Sequence, residues 1–247
     1  VTAVGALAAR GRRLGTLAGL VGLGALLTLL TPDFLTVSNL LNVLQQTSIN
    51  AVIAIGMTFV ILSGGIDLSV GSLVALSGVA LAYALQAGAP LPLAIAAGLV
   101  AGSAAGLVNG LLITRGKLPP FIATLGMMSV ARGITLFWTD GRPVSGFDAA
   151  FRSLATGRVL AIPAPVLIAA LLYLAAHFLL NRTRFGLYVY AIGGNEEATR
   201  LSGVAVRFHK AMVYGLAGLM SAVASVILTA RLNSAQPIAG MMYELDA

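Results

Sequence analysis

From Leu68 to Thr114 the chain carries no charged side chain, and the run before it, Phe34–Ile66, is uncharged too; only Asp67 separates them. A helix that crosses a bilayer needs about 20 apolar residues, so the second run alone is long enough to cross twice. Further on, Leu118–Thr139 holds only Arg132, Val159–Asn181 only His177, and Ala211–Ala230 no charge at all. Charged residues make up 9% of the 247 and apolar ones 58%, with mean hydropathy +0.96, whereas a soluble domain is about 25% charged. So few polar groups cannot cover a globular surface, and the chain belongs in a bilayer.

The windows divide into seven predicted helices, roughly 14–31, 39–62, 69–87, 91–114, 118–139, 164–181 and 211–231. Gly88-Ala89-Pro90-Leu91-Pro92 separates the third from the fourth, because prolines so spaced favour a turn. The fold class expected is all-α, a polytopic transmembrane bundle in one domain spanning 1–247. The first segment, "RGRRLGTLAGLVGLGALLTLL", has the basic and apolar regions of a signal peptide. Thr31-Pro32-Asp33-Phe34 is a poor cleavage site, so it is read as a retained span; the chain starts at Val1 rather than Met, and an incomplete N-terminus is expected.

Orientation is read from Lys and Arg in the loops. With the N-terminus cytoplasmic, the inner segments hold Arg10, Arg12, Arg13, Arg115, Lys117, Arg182, Arg184, Arg200, Arg207 and Lys210. The long outer loop, about 140–163, holds Arg142, Arg152 and Arg158. The excess places 182–210 on the cytoplasmic side of a multi-pass membrane protein. The net charge of +7 then reflects loops beside spans. Basic residues are not interleaved with aromatics, so no nucleic-acid surface is expected.

There are no cysteines, and the two histidines, His177 and His209, are too far apart in sequence to suggest a metal site. The nearest phosphate-loop pattern, Gly110 to Leu118, is one residue too long and has Leu118 where a magnesium-binding Ser or Thr would stand. No nucleophile–base pairing suggests an intramembrane enzyme. If the protein uses ATP, another chain must bind it.

One polar island stands out, "GGNEEATRLSG" (193–203). Asn195 is a good N-cap, and Glu196 and Glu197 fall in the first turn, where the helix dipole favours anions. Glu196 and Arg200 have i,i+4 spacing, and Gly203 suits the position past the last turn. A two-turn helix over 196–202 follows. It is too short to persist alone in water, so it rests on its own membrane domain or docks into another protein.

Other features invite less specific readings. Gly98, Gly102, Gly106 and Gly110 line one face of the fourth helix, as in close helix packing. Asn39, Asn42, Gln46 and Asn50 share one face of the second helix, where amides could meet solute hydroxyls or bond neighbouring helices. Asp67, with Ser69 beside it, could cap the helix beginning near Leu68 or touch solute. Arg132 could snorkel, pair or face a pathway, and His177 is expected in the interior. Arg142, Arg152 and Arg158 could steer an acidic partner or simply remain solvated.

Three separated stretches resemble one family: "ILSGGIDLSVGSLVALSG" (61–78), "PPFIATLGMMSVARGITLFWTDGRPVSGF" (119–147), and "AIGGNEEATRLSGVAV" (191–206) followed by "ARLNSAQPIAGMMYELDA" (230–247). Together they are similar to the permease subunit of ribose-type ABC importers, from about residue 33 to the end. The resemblance implies two permease subunits around a pathway, partner ATPases that bind ATP and Mg, and an extracytoplasmic sugar-binding protein. It makes Asn195, Glu196, Glu197, Ala198, Arg200, Leu201 and Gly203 ATPase-coupling residues. It makes the bend at Asp67 and Ser69 part of the translocation region and implies the bacterial inner membrane. In such a protein Asn42, Gln46 and Asn50 are pathway candidates as well as helix-packing ones, and Arg142, Arg152 and Arg158 are candidate binding-protein contacts as well as solvated loop charges. Family members continue past "YELDA", so a chain shortened at its C-terminus is expected. Ribose is the expected solute; xylose, galactose, inositol and autoinducer-2 are the alternatives. An ATP-independent secondary transporter would need coupling-ion carboxylates within its spans, and only Asp67 is available.

Overall fold

A computed structural model describes residues 3–247, with side chains from Gly15 onward. In chain order the helices are α1 (Ala3–Leu30), α2 (Val37–Leu62), α3 (Val70–Gln86), α4 (Leu91–Thr114), α5 (Pro120–Thr139), α6 (Ala149–Thr156), α7 (Ala164–Arg182), α8 (Arg184–Gly194), α9 (Glu196–Leu201), α10 (Val206–Leu232) and α11 (Tyr243–Asp246). Four two-residue strands, β1 (Val144–Ser145), β2 (Arg158–Val159), β3 (Ile162–Pro163) and β4 (Ser234–Ala235), make two antiparallel ribbons, β1 with β4 and β2 with β3. A helix stands at each of the seven expected positions. By length and hydropathy α2, α4, α5, α7 and α10 are long enough to cross a membrane, and Gly15–Leu30 and α3 are shorter apolar helices. The side chains of Arg10, Arg12 and Arg13 lie outside the described residues.

The chain forms two compact units, Val1–Leu44 and Gln45–Ala247. In the first, Thr36 caps α2 by accepting from the Asn39 backbone N–H at 3.3 Å, and the Asn39 amide donates to the Phe34 carbonyl at 2.8 Å. Asn39 therefore serves the helix start.

In the second unit α10 is the central helix. Val213, Tyr214, Ala217, Ala222 and Ala224 are buried along it. It lies on α4 at backbone distance, and Gly102, Gly106 and Gly110 are the reason, while Gly98 brings α4 to α3. A Cβ on Gly110 would stand 2.6 Å from Ala211 Cα, and one on Gly102 2.7 Å from the Gly218 carbonyl. One on Gly106 would strike the Tyr214 carbonyl, and one on Gly98 would meet the Ser77 carbonyl of α3 at 2.9 Å. The predicted stripe is thus a packing seam, answered on α10 by Ala211, Gly218 and Ala222. Such contact replaces the hydrophobic drive that lipid removes. By contrast α7 exposes Leu171, Tyr173, Leu174 and Phe178, as an apolar surface facing lipid must.

Several expectations need correction. The segment 140–163 is not a plain loop: Phe147, Phe151 and Ala155 join a core with Val79, Leu81 and Ala230. The Phe147 N–H donates to Asn233 Oδ1 at 3.1 Å, so α6 and the chain after α10 form one cap. Within 182–210, α8 precedes the predicted short helix. Arg132, whose role the sequence left open, donates from Nη1 to the carbonyls of Pro237 (2.8 Å) and Ala239 (2.9 Å). His177 is exposed on α7, with Asn181 Nδ2 3.2 Å from its Nδ1.

Substituting Gly106 tests the seam. Gly106→Val should lower stability by about 1–3 kcal/mol, the usual cost of overpacking, and depress the thermal midpoint in detergent. Gly126→Ala on α5, with nothing within 4 Å of its Cβ, should leave the midpoint nearly unchanged.

Candidate functional site

The polar island folds as its residues dictate. Thr183 caps α8 by accepting from the Gly186 N–H. Asn195 ends α8 and begins α9, accepting at Oδ1 from the Ala198 N–H at 2.9 Å. Thr199, the one buried residue of α9, donates its hydroxyl to the Asn195 carbonyl at 2.7 Å. Gly203 has φ +85° just past the last turn, which only glycine adopts without strain. The expected helix and both its caps are present.

The ion pairs differ from the spacing argument. Arg200 pairs with Glu197, one turn away, its Nε donating to Oε2 at 3.0 Å. Glu196 instead accepts from Lys210 Nζ of α10 at 2.8 Å. The loop after Gly203 folds back and brings Lys210 to the first turn of α9, a long-range closure that i,i+4 arithmetic cannot anticipate. The Arg200 hydrogen bond and charge hold the Glu197 carboxyl below its ordinary range. Both partners are exposed, so little stability rides on this pair.

Two contacts among the described residues tie the island to the long helices. One is the Glu196–Lys210 pair. The other is Gly193, where a Cβ would strike the Leu62 carbonyl at the end of α2. On the outside, Leu201 is 74% exposed, and Glu196, Glu197, Ala198 and Arg200 are exposed as well. A short, capped helix thus presents one large apolar residue within a charged surface.

Above Gly193 lies the bend between α2 and α3. Gly64 turns the chain at φ +75°. Asp67 and Ser69 are fully buried. Asp67 Oδ1 accepts from the Ser69 N–H at 2.8 Å and the Ser69 hydroxyl at 2.6 Å. Asn109 Nδ2 of α4 donates to Ser69 Oγ at 2.8 Å. The helix cap proper is Ser69, one residue beyond the expected start, and Asp67 closes the turn that feeds it. Asn109 is a member of this cluster that the sequence reading missed. Its position, one residue before Gly110 in the tight α4 seam, is the signal that could have found it.

None of the remaining candidates shares a hydrogen bond with this cluster among the described residues. Asn42 belongs to the first unit and is exposed. Gln46 is exposed and Asn50 half-buried, and neither makes a side-chain hydrogen bond among the described residues. Arg142, Arg152 and Arg158 are exposed, and none forms an ion pair among the described residues. Their neighbours are the ordered cap of β1, α6 and β2.

A bundle of apolar helices carrying a capped polar helix on two struts is the architecture of a membrane permease. Residues 39–247 match the family described as branched-chain amino acid transport system / permease component, and the chain belongs to it. It is 49% identical over 236 residues to the ribose import permease of Escherichia coli K12, covering 94% of this chain and 74% of that one. With the ribose import permease of Bacillus subtilis 168 the identity is 50% over 238 residues, covering 96% and 74%. With the D-allose transport permease of E. coli K12 it is 40% over 220 residues, covering 88% and 68%. The resemblance read from the motifs is borne out. No solved structure matches the chain significantly.

Removing the α9 cap tests its construction. Asn195→Ala should cost the helix about 1 kcal/mol. Amide exchange over 196–202 should then quicken about fivefold, with exchange in α4 and α10 unchanged.

Proposed function

We propose that this chain is the membrane-spanning permease subunit of an ABC importer for ribose, working by alternating access. The single observation behind the substrate is the gradient of identity: 49–50% to ribose import permeases against 40% to a D-allose permease. In this reading a binding protein delivers the sugar outside. ATP and Mg bind to partner ATPase subunits rather than to this chain, and a second permease subunit completes the pathway. The N-terminus is cytoplasmic, which puts α9 on the ATPase side.

Within that reading α9 is the coupling element. Leu201 enters the ATPase surface, while Asn195, Glu196, Glu197, Ala198, Arg200 and Gly203 hold and orient the helix that carries it. A push on α9 has two routes inward, through Gly193 against the end of α2 and through Lys210 into α10. The α2 route reaches the Asp67–Ser69–Asn109 cluster. In this state that cluster is sealed, so Asp67 and Ser69 act as a joint between α2, α3 and α4. Gln46 and Asn50, with unused amides, are better candidates for sugar contact, and Asn42 continues their face. Arg142, Arg152 and Arg158 on the ordered cap supply positive charge for an acidic face of the binding protein.

Uptake of labelled ribose into vesicles containing the permease with its ATPase and binding protein tests this reading. ATP-dependent uptake that unlabelled ribose suppresses and allose leaves largely unaffected is expected. ATP-dependent uptake of another solute would discard ribose and keep the class. Uptake driven by an ion gradient would discard the class.

A further inference from the structure

A second feature at the α9 end of the bundle is not used by coupling. Between the end of α4 and the start of α10 runs a trough of about 750 Å³. Its α4 wall carries Leu107, Leu111 and Arg115, which fall at i, i+4 and i+8 on one helix face. Its α10 wall carries Arg207 and, one turn further into the bundle, Met212. The trough therefore has two zones, apolar between the helices and cationic where they end. An adjoining hollow of about 390 Å³ shares Arg200 and Arg207 and adds Lys117.

The cations here outnumber the anions. Arg115, Lys117, Arg182, Arg184, Arg200, Arg207 and Lys210 stand against Glu196 and Glu197 in the segments 115–117 and 182–210. Both glutamates are already engaged, with Lys210 and Arg200. Arg115 and Arg207 are exposed and form no ion pair among the described residues. The start of α10 adds to the field: Ala205 offers no side-chain cap, so the positive end of that helix also opens toward this zone.

We propose that this trough is a binding site for an anionic phospholipid, with the phosphate held between Arg115 and Arg207 and an acyl chain along Leu107, Leu111 and Met212. Basic pockets between helices at the membrane surface recognise such headgroups. A free phosphate would occupy the cationic floor and leave the leucine-lined half empty, so the two-zone lining favours a lipid. The site lies chiefly between two spans; of α9 only Arg200 borders it, and Leu201 is not part of its lining, which leaves that exposed face clear. The proposal holds for either orientation of the chain.

Native mass spectrometry of the assembled transporter with added phosphatidylglycerol or phosphatidylethanolamine tests it. Wild type should retain phosphatidylglycerol in preference to phosphatidylethanolamine. In the double variant Arg115→Gln/Arg207→Gln the retention should fall roughly 25-fold, about fivefold per arginine near an anionic headgroup. Arg115→Lys/Arg207→Lys should keep most of it. The mass of the complex in the same spectra reports whether each variant assembles. Three results would overturn the proposal: no preference in wild type, unchanged retention in the glutamine variant, or complete displacement by inorganic phosphate, which would mark a small-anion site. The wild-type preference and the phosphate competition need no variant to fold.

Discussion

Everything in the second unit hangs on the approach of α4 to α10. In lipid, two apolar helices gain nothing by hiding leucines from their surroundings, so association depends on how closely backbones meet. Gly102, Gly106 and Gly110 bring α4 against Ala211, Gly218 and Ala222. The same seam carries Asn109 inward to the Ser69 hydroxyl, fixing the bend between α2 and α3. It also sets where α10 begins, and hence where Lys210 meets Glu196. A methyl group at Gly106 would displace packing, bend and polar island together.

The buried polar cluster shows what such a seam makes possible. Asp67 lies in a region that disfavours charge, yet one carboxyl oxygen is satisfied by two donors from Ser69. Among the described residues Asp67 Oδ2 and Asn109 Oδ1 accept no hydrogen bond, so the cluster holds acceptors to spare. Spare capacity at a joint between three helices suits an element that rearranges, because a fully satisfied network would resist any second arrangement.

Much of this was legible in the sequence, for physical reasons. Charge-free runs locate the spans because lipid admits little else. The caps at Asn195 and Gly203 were readable because capping is local. What depended on distant parts of the chain was not. Glu196 pairs with Lys210 through a fold-back, Arg132 binds carbonyls more than a hundred residues away, and the segment 140–163 is tied to Asn233 beyond α10. His177 illustrates a different limit: an apolar helix exposes its polar residue when the bundle buries little of that helix. The amide face of α2 illustrates a third limit: Gln46 and Asn50 read alike in sequence whether they meet a sugar or another helix.

The central claim is that the polar island transmits work between an ATPase and these helices. It is tested most directly by assaying ATP hydrolysis and ribose uptake together in the assembled transporter, with and without Leu201→Asp. The account predicts that stimulation of hydrolysis by the ribose-loaded binding protein, and uptake with it, fall by at least about tenfold, the equivalent of roughly 1.4 kcal/mol. Stimulation and uptake both at wild-type levels would contradict it.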